Sequence, residues 1–246
     1  GSAGDTIEAP LAAMIRDTER AKQFGFTASE YEIARTNILK NYEDSYNNRD
    51  KQRNSTYSDE YVRAFTDGEP IPGIEFEYQF IQAVAPNIPV EAINQTIQQL
   101  IGDENIVIAI TGPDKEDLVY PTEESLLAVL NSVKSETIEP YAGEVIDEPL
   151  VSNPPTPGKI VKEEKDEVLG ATVWTLENGI KVILKDTDFK NDEILMTASS
   201  VGGYSQYAIQ DPLNSKIMGS IITLGGVGNF SATDLPKVLA GKTVSA

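Results

Sequence analysis

Ile7, Leu11, Met14 and Ile15 recur at i, i+4, i+7 and i+8, which predicts a helix over 7–24 ended by Gly25. "FTASEY" (26–31) opens a second helix. Thr27 is its cap, Glu30 closes a capping box, and Phe26 and Tyr31 can form a staple. Tyr31, Ala34, Ile38 and Tyr42 mark its apolar stripe, and Tyr57, Tyr61 and Phe65 continue it beyond a polar break, "NNRDKQRNS" (47–55). "DGEPIPG" (67–73) stops the pattern with two prolines and two glycines. Two more helices follow at 74–84 and 90–101, the second after Pro89 and before Gly102. A further helix starts from Thr122 and carries Leu126, Leu127, Leu130 and Val133.

"NIVIAIT" (105–111) reads as the one strand of this helical first half. An apolar strand without a partner is a template for pairing. It is therefore expected to pair with the second half's sheet, with the linker, or with another copy of the chain.

Beyond residue 171 the period changes from helical to alternating. "TVWTL" and "IKVILK" flank Asn178-Gly179 within 172–185, the strongest short hairpin signal. "EILMTASSVGG" (193–203) reads as a third strand. Ser215–Leu224 reads as a helix, Gly225, Gly226 and Gly228 as a turn, and 231–241 as a last short helix. Ser231 or Thr233 caps that helix and Gly241 stops it. Between the halves, Pro113 to Glu167 holds fourteen acids and five lysines, and prolines gather at 140, 149, 154, 155 and 157. Residues 135–168 are thus expected to be an acidic, proline-rich, extended linker between 1–134 and 169–246. The fold class is α+β: a helical first half, then an antiparallel hairpin with helices.

Composition narrows the chemistry. The 246 residues are 40% hydrophobic and 24% charged, ordinary for a globular protein. Net charge is −19, which argues against phosphate backbones and anionic membrane surfaces as partners. No apolar run is long enough to cross a bilayer, and the opening residues do not read as a signal peptide. The initial Gly-Ser-Ala-Gly reads as an appended remnant running into mid-protein sequence. Histidine and cysteine are both absent, which removes the Ser-His-Asp triad, thiol chemistry and the usual zinc ligands. Catalysis would have to run on Asp, Glu, Lys, Tyr or Ser.

Each candidate site has a plainer reading. "DTDFKNDE" (186–193) has Asp at positions 1, 3 and 7 of a calcium loop, but Lys190 and Asn191 stand where an oxygen ligand and the turn glycine belong. It reads as a solvated turn. The 225–228 glycines follow a helix rather than a strand, and no Lys-Ser/Thr comes after them, so they read as a turn and not a phosphate loop. Asn54-Ser55-Thr56 and Asn94-Gln95-Thr96 match glycosylation acceptors that arise readily by chance. No catalytic or metal-binding residue emerges.

"TPGKIVKEEKDEVLGATVWTLENGIKVILKDTDFKNDEILMTASSVGGYSQY" (156–207) resembles the interdomain segment of the M16 zinc peptidases, the insulinase and pitrilysin group. Within that family it is most similar to two-repeat proteins of Bacteroides-type bacteria. "RAKQFGFTASEYEIAR" (20–35) resembles the opening of a long helix in the second domain of a repeat, and "GGVGNFSATDLPKVLAGK" (225–242) the start of the second repeat. The motifs occur in family order over nearly the whole chain.

The resemblance implies an M16-type α/β roll, present in part. Residues 1–134 would end the first repeat's second domain, and 169–246 would begin the second, inactive repeat. It further implies a periplasmic or cell-envelope location, a peptide substrate and zinc in the larger protein. In active repeats zinc is held by H-x-x-E-H, which by family register falls near 216–220. Here that stretch is Lys216-Ile217-Met218-Gly219-Ser220. Lys216, Gly219 and Ser220 thus stand at degenerate zinc-helix positions. Lys216 and Ser220, one turn apart, could pair as base and nucleophile, though an apolar helix with polar ends is the plainer reading.

The expected function is a non-catalytic scaffold or hinge of a zinc metalloendopeptidase, inactive alone. Its partners would be the remaining domains, with self-association through unpaired strands. The alternatives are a part of a catalytically dead M16-like structural or peptide-binding protein, and a small independent binding module.

Overall fold

The computed structural model describes residues 7–113, 119–143, 146, 148–206 and 212–244. It is an α+β fold of eight α-helices and one three-stranded antiparallel sheet among those residues. Contacts group the chain into two units. The first is Gly1–Arg35 with Ala83–Val145, and the second is Thr36–Gln82 with Ile146–Ala246. Composition places its borders at 134 and 169, so contacts and composition cut the chain differently.

Three helices build the first unit: α1 (Glu8–Phe24), α5 (Val90–Leu100) and α6 (Glu123–Lys134), with α1 packed on both α5 and α6. α1 ends where Gly25 takes a φ of 71°. Asn94 of α5 then clamps the following residue, accepting from the Phe26 N–H at 2.8 Å and donating to the Phe26 carbonyl at 3.2 Å. A Cβ on Gly25 would lie 2.3 Å from Asn94 Cγ, so glycine is required there for space as well as for φ. α2 (Ala28–Asn47) opens in this unit with the expected capping box. The Thr27 N–H donates to Glu30 Oε2 at 2.8 Å, and the Glu30 N–H donates to Thr27 Oγ1 at 3.2 Å. The Tyr31 hydroxyl donates to the Ile88 carbonyl at 2.6 Å. Thr122 caps α6 by accepting from the Ser125 N–H.

Ala85, Val133 and Ile138 are the buried apolar residues of this unit, and Val133, 1% exposed, is the fully buried one. Ion pairs surround them. Arg16 holds Glu136 through two bonds of 2.7 and 3.0 Å, and Lys22 and Lys134 converge on Asp103 at 2.8 and 3.1 Å. Hydrogen bonds from the Lys22 and then the Lys134 ammonium hold the Asp103 carboxyl below its usual value, and the Arg16 guanidinium does the same for Glu136. A carboxyl whose folded pKa is lowered contributes stability that is fully present above the unfolded carboxylate range and is lost as pH falls from there through the folded pKa. This unit should therefore weaken on acidification from about pH 5 downward. Asp103→Asn with Glu136→Gln should flatten that part of the profile, as read by thermal midpoints across pH. An unchanged slope would assign no role to these pairs.

The second unit holds the rest of α2, then α3 (Asn54–Asp67), most of α4 (Ile74–Val84), the sheet β1 (Ile160–Asp166), β2 (Ala171–Leu176), β3 (Lys181–Leu184), and finally α7 (Pro212–Leu224) and α8 (Leu235–Val238). α2 stops at Asn47 and α3 starts at Asn54, so the polar stretch 47–55 does break the helix. Tyr46 stacks on Tyr78 of α4, ring centroids 4.6 Å apart, with the Arg49 guanidinium 4.3 Å from the Tyr46 ring. The hairpin forms where Asn178-Gly179 places it, but through a three-residue loop. The Gly179 N–H bonds the Leu176 carbonyl, the Leu176 N–H bonds the Ile180 carbonyl, and only Gly179 in the loop has positive φ, at 86°. A two-residue type I′ turn needs positive φ at both central residues, whereas a type I turn closed by a left-handed glycine does not. α8 is shorter than the expected 231–241, and its N-cap is Asp234 with no side-chain cap bond; Ser231 instead closes the turn leading into it, accepting from the Asp234 N–H at 3.1 Å.

Three expectations are corrected. Residues 160–166, placed in the extended linker, form β1 and pair with β2 from Ile160↔Leu176 to Asp166↔Ala171. Across that pair Trp174 Nε1 donates to Glu163 at 2.9 Å. The linker's acid–lysine alternation masked a strand whose residues are almost all solvated, so no apolar face announced it. Residues 193–203 make no strand, because the chain leaves β3 into a turn fastened to the end of α2, described below. Residues 105–111 make no ladder with any described segment, and Val107 is 88% exposed. The described strands all belong to the second unit, while 105–111 belong to the first.

Candidate functional site

Lys216, Gly219 and Ser220, the residues that the resemblance sets at zinc-helix positions, lie on α7 at its exposed surface. Lys216 and Ser220 are one turn apart on that surface, and neither lines the cleft described next. A base and nucleophile need a site that also holds the substrate against them. α7 supplies an open helix face instead. Zinc does not fit these residues. The sequence contains no His or Cys, and no cluster of three acidic side chains suited to a metal occurs among the described residues.

The most organised polar arrangement in the second unit is elsewhere. The turn after β3 docks on the C-terminal end of α2. Asn191 inserts its amide there, its side chain donating to the Asn47 carbonyl at 2.7 Å and its N–H donating to Asn48 Oδ1 at 2.9 Å. Lys51 Nζ donates to the Asp188 carbonyl at 2.6 Å and to Asn191 Oδ1 at 3.0 Å. Asn47 in turn donates to Asp192 at 2.9 Å. Asp192, at a φ of 57°, adopts the left-handed backbone that short Asx side chains tolerate. The last carbonyl of α2, that of Asn47, thus gains a donor from the turn.

A cleft of about 430 Å³ lies along this seam, lined by Asp44, Asn48, Lys51, Arg53, Phe189 and Glu193 among others. Its charges are mixed. Lys51 is committed to the turn, and the neighbouring Lys190 pairs with Glu193 at 2.9 Å. The arrangement holds two chain segments together, and it aims no activated group into the cleft. Residues 186–193 are thus an exposed turn, as expected, and the turn is in addition tied to the end of α2. Its partner residues, Asn47, Asn48 and Lys51, read in sequence only as a polar break, and nothing in their spacing announces the docking. Lys51→Met removes two of the bonds, each worth about 0.5–1.5 kcal/mol. Tryptic cleavage after Lys190 should then rise about five- to tenfold. Equal cleavage in both proteins would show that Lys51 does not hold the turn.

The glycine stretch is a tight turn. Val227 and Phe230 exchange backbone bonds of 3.0 Å, Phe230 is buried, and a Cβ on Gly226 would lie 2.0 Å from the Phe230 carbonyl oxygen.

Comparison with known proteins adds a relationship that the site alone does not show. No protein-family model matches the chain. A zinc protease PQQL-like protein of Arabidopsis thaliana is 32% identical over 212 residues, 86% of this chain. Most of the chain is therefore related to a segment of a zinc protease. It spans about a fifth of that relative, 22% of its length. The crystal structure of the periplasmic protease PqqL from Escherichia coli aligns with 94% of this chain and 25% of its own, at a TM-score of 0.44 and 16% identity.

Proposed function

We propose that the chain is a non-catalytic segment of a larger M16-type zinc metalloendopeptidase, acting as scaffold and hinge between its two halves. One observation carries this reading: 212 residues are 32% identical to a zinc protease, yet the sequence contains not one His or Cys. Relatedness to a zinc enzyme and a donor set that cannot hold zinc are reconciled if the ligands lie outside these residues. The order of the three resembling motifs supports placing 1–134 at the end of a first repeat, 135–168 between repeats and 169–246 at the start of a second, inactive one. Zinc in the larger protein would supply an activated water and a polarised carbonyl for hydrolysis of peptides or unfolded chains. An envelope location belongs to the same proposal and rests on the resemblance alone.

Metal analysis of the full-length gene product tests the reading. About one zinc per chain surviving dialysis, with ligands outside these 246 residues, is the expected result. A full-length product that keeps no zinc and binds peptides uncut would replace it with a catalytically dead structural or peptide-binding protein.

A further inference from the structure

We propose that the cleft between the end of α2 and the docked turn binds a small monoanion, a carboxylate carried beside a flat apolar group. This inference stands apart from the reading just proposed. The cleft holds about 430 Å³, within the roughly 300–1,000 Å³ of small-molecule sites. Its charges do not cancel. Of its two lining acids, Asp44 is held by Lys40 at 3.0 Å, and Glu193 by the lining Lys190 at 2.9 Å. Two lining cations remain. Lys51 bonds neutral oxygens, the Asp188 carbonyl and the Asn191 amide, so no carboxylate offsets its charge. Arg53 has no side-chain partner among the described residues. Its planar fork of donors matches a carboxylate through two parallel bonds. Ser45, Gln52 and Thr56 also line the cleft, and their side chains have no partner among the described residues, so further neutral donors stand beside the guanidinium.

Phe189 supplies the apolar wall. Its ring is 80% exposed, yet the turn that carries it is pinned on both sides, by Lys51 on the Asp188 carbonyl and by Asn191 on the Asn47 carbonyl. A ring already held in place costs a ligand little ordering. Charge then selects a single negative group. A polyanion would place its further charges against a chain of net −19, within the screening length of about 8–10 Å. The favoured chemistry has two sources: the last residue of a peptide that ends in an aromatic side chain, and a free aromatic acid.

The test titrates N-acetylphenylalanine, its amide and a tripeptide ending in phenylalanine into the 246-residue chain, followed by backbone amide chemical shifts. The acid should bind with a Kd on the order of 1 mM. The shifted resonances should belong to 44–56 and 189–193. The amide, which lacks the charge, should bind about tenfold more weakly or worse. Arg53→Ala should weaken the acid by about ten- to hundredfold, and Arg53→Lys should recover part of that loss. Phe189→Ala should weaken acid and amide alike. Arg53 lacks a partner and Phe189 meets water, so the variants should keep the wild-type spectrum away from the cleft, which separates lost binding from lost folding. A tripeptide that binds as tightly as the acid supports the proposal with chain ends as the source, and an excluded tripeptide supports it with free acids as the source. No shifts up to about 20 mM acid, equal binding of acid and amide, or an Arg53→Ala variant that binds like the wild type overturns it.

Discussion

Val133→Asp is expected to unfold the first unit, lowering its stability by roughly 3–5 kcal/mol, since it strands a carboxylate without a partner in the interior. Val133 is the one fully buried side chain among the described residues, on the helix that packs against α1. The unit has little in reserve. Its other buried apolar residues are Ala85 and Ile138, and the Arg16–Glu136 and Lys22–Asp103–Lys134 pairs are solvated and worth little individually. Val133→Ala, which deletes methyl groups without adding charge, should cost about 1–3 kcal/mol. Phe65→Asp is the control. Phe65 is larger than Val133 but 92% exposed, so its loss should fall within about 0.5 kcal/mol. Urea unfolding followed by circular dichroism reads all three. A Phe65→Asp loss as large as that of Val133→Asp would show that the core is not where these contacts place it.

The isolated chain should retain no zinc. Imidazole and thiolate are missing from the whole sequence, and carboxylates alone compete poorly for zinc. Acidic residues are plentiful, but the best-placed of them are committed elsewhere. Asp103 and Glu136 take cations, Glu30 closes a cap, and Asp234 is tied to Ser231, whose hydrogen bond keeps its carboxyl below the usual range. Elemental analysis after dialysis should find far less than one zinc per chain. Stoichiometric retention would mean that a carboxylate site has been overlooked.

How much of this was legible in the sequence depended on how local the cause was. Thr27 and Glu30 close their capping box within four residues, and Gly25 and Gly179 mark turns that need positive φ, so these features could be read directly. β1 was hidden because five of its seven residues are charged and it is held by pairing with β2 rather than by an apolar face. Residues 105–111 and 194–196 failed in the opposite way. They carry strand-like apolar runs, but pairing requires a neighbour, and apolarity alone does not supply one. The docked turn at 188–192 joins residues about 140 apart through amides, a contact no local pattern encodes. The assignment of Lys216, Gly219 and Ser220 on α7 to zinc-helix positions rests on resemblance alone, since these residues carry no signal of their own.

The most direct measurement is turnover of a quenched peptide library, with and without a chelator, by the isolated chain and by the full-length gene product side by side. Hydrolysis needs an activated water, a proton shuttle and a substrate held against both, and α7 presents only an exposed face. The account predicts chelator-sensitive turnover by the full-length product and none by the 246-residue chain. Chelator-sensitive turnover by the short chain, purified free of contaminating peptidase, would contradict it.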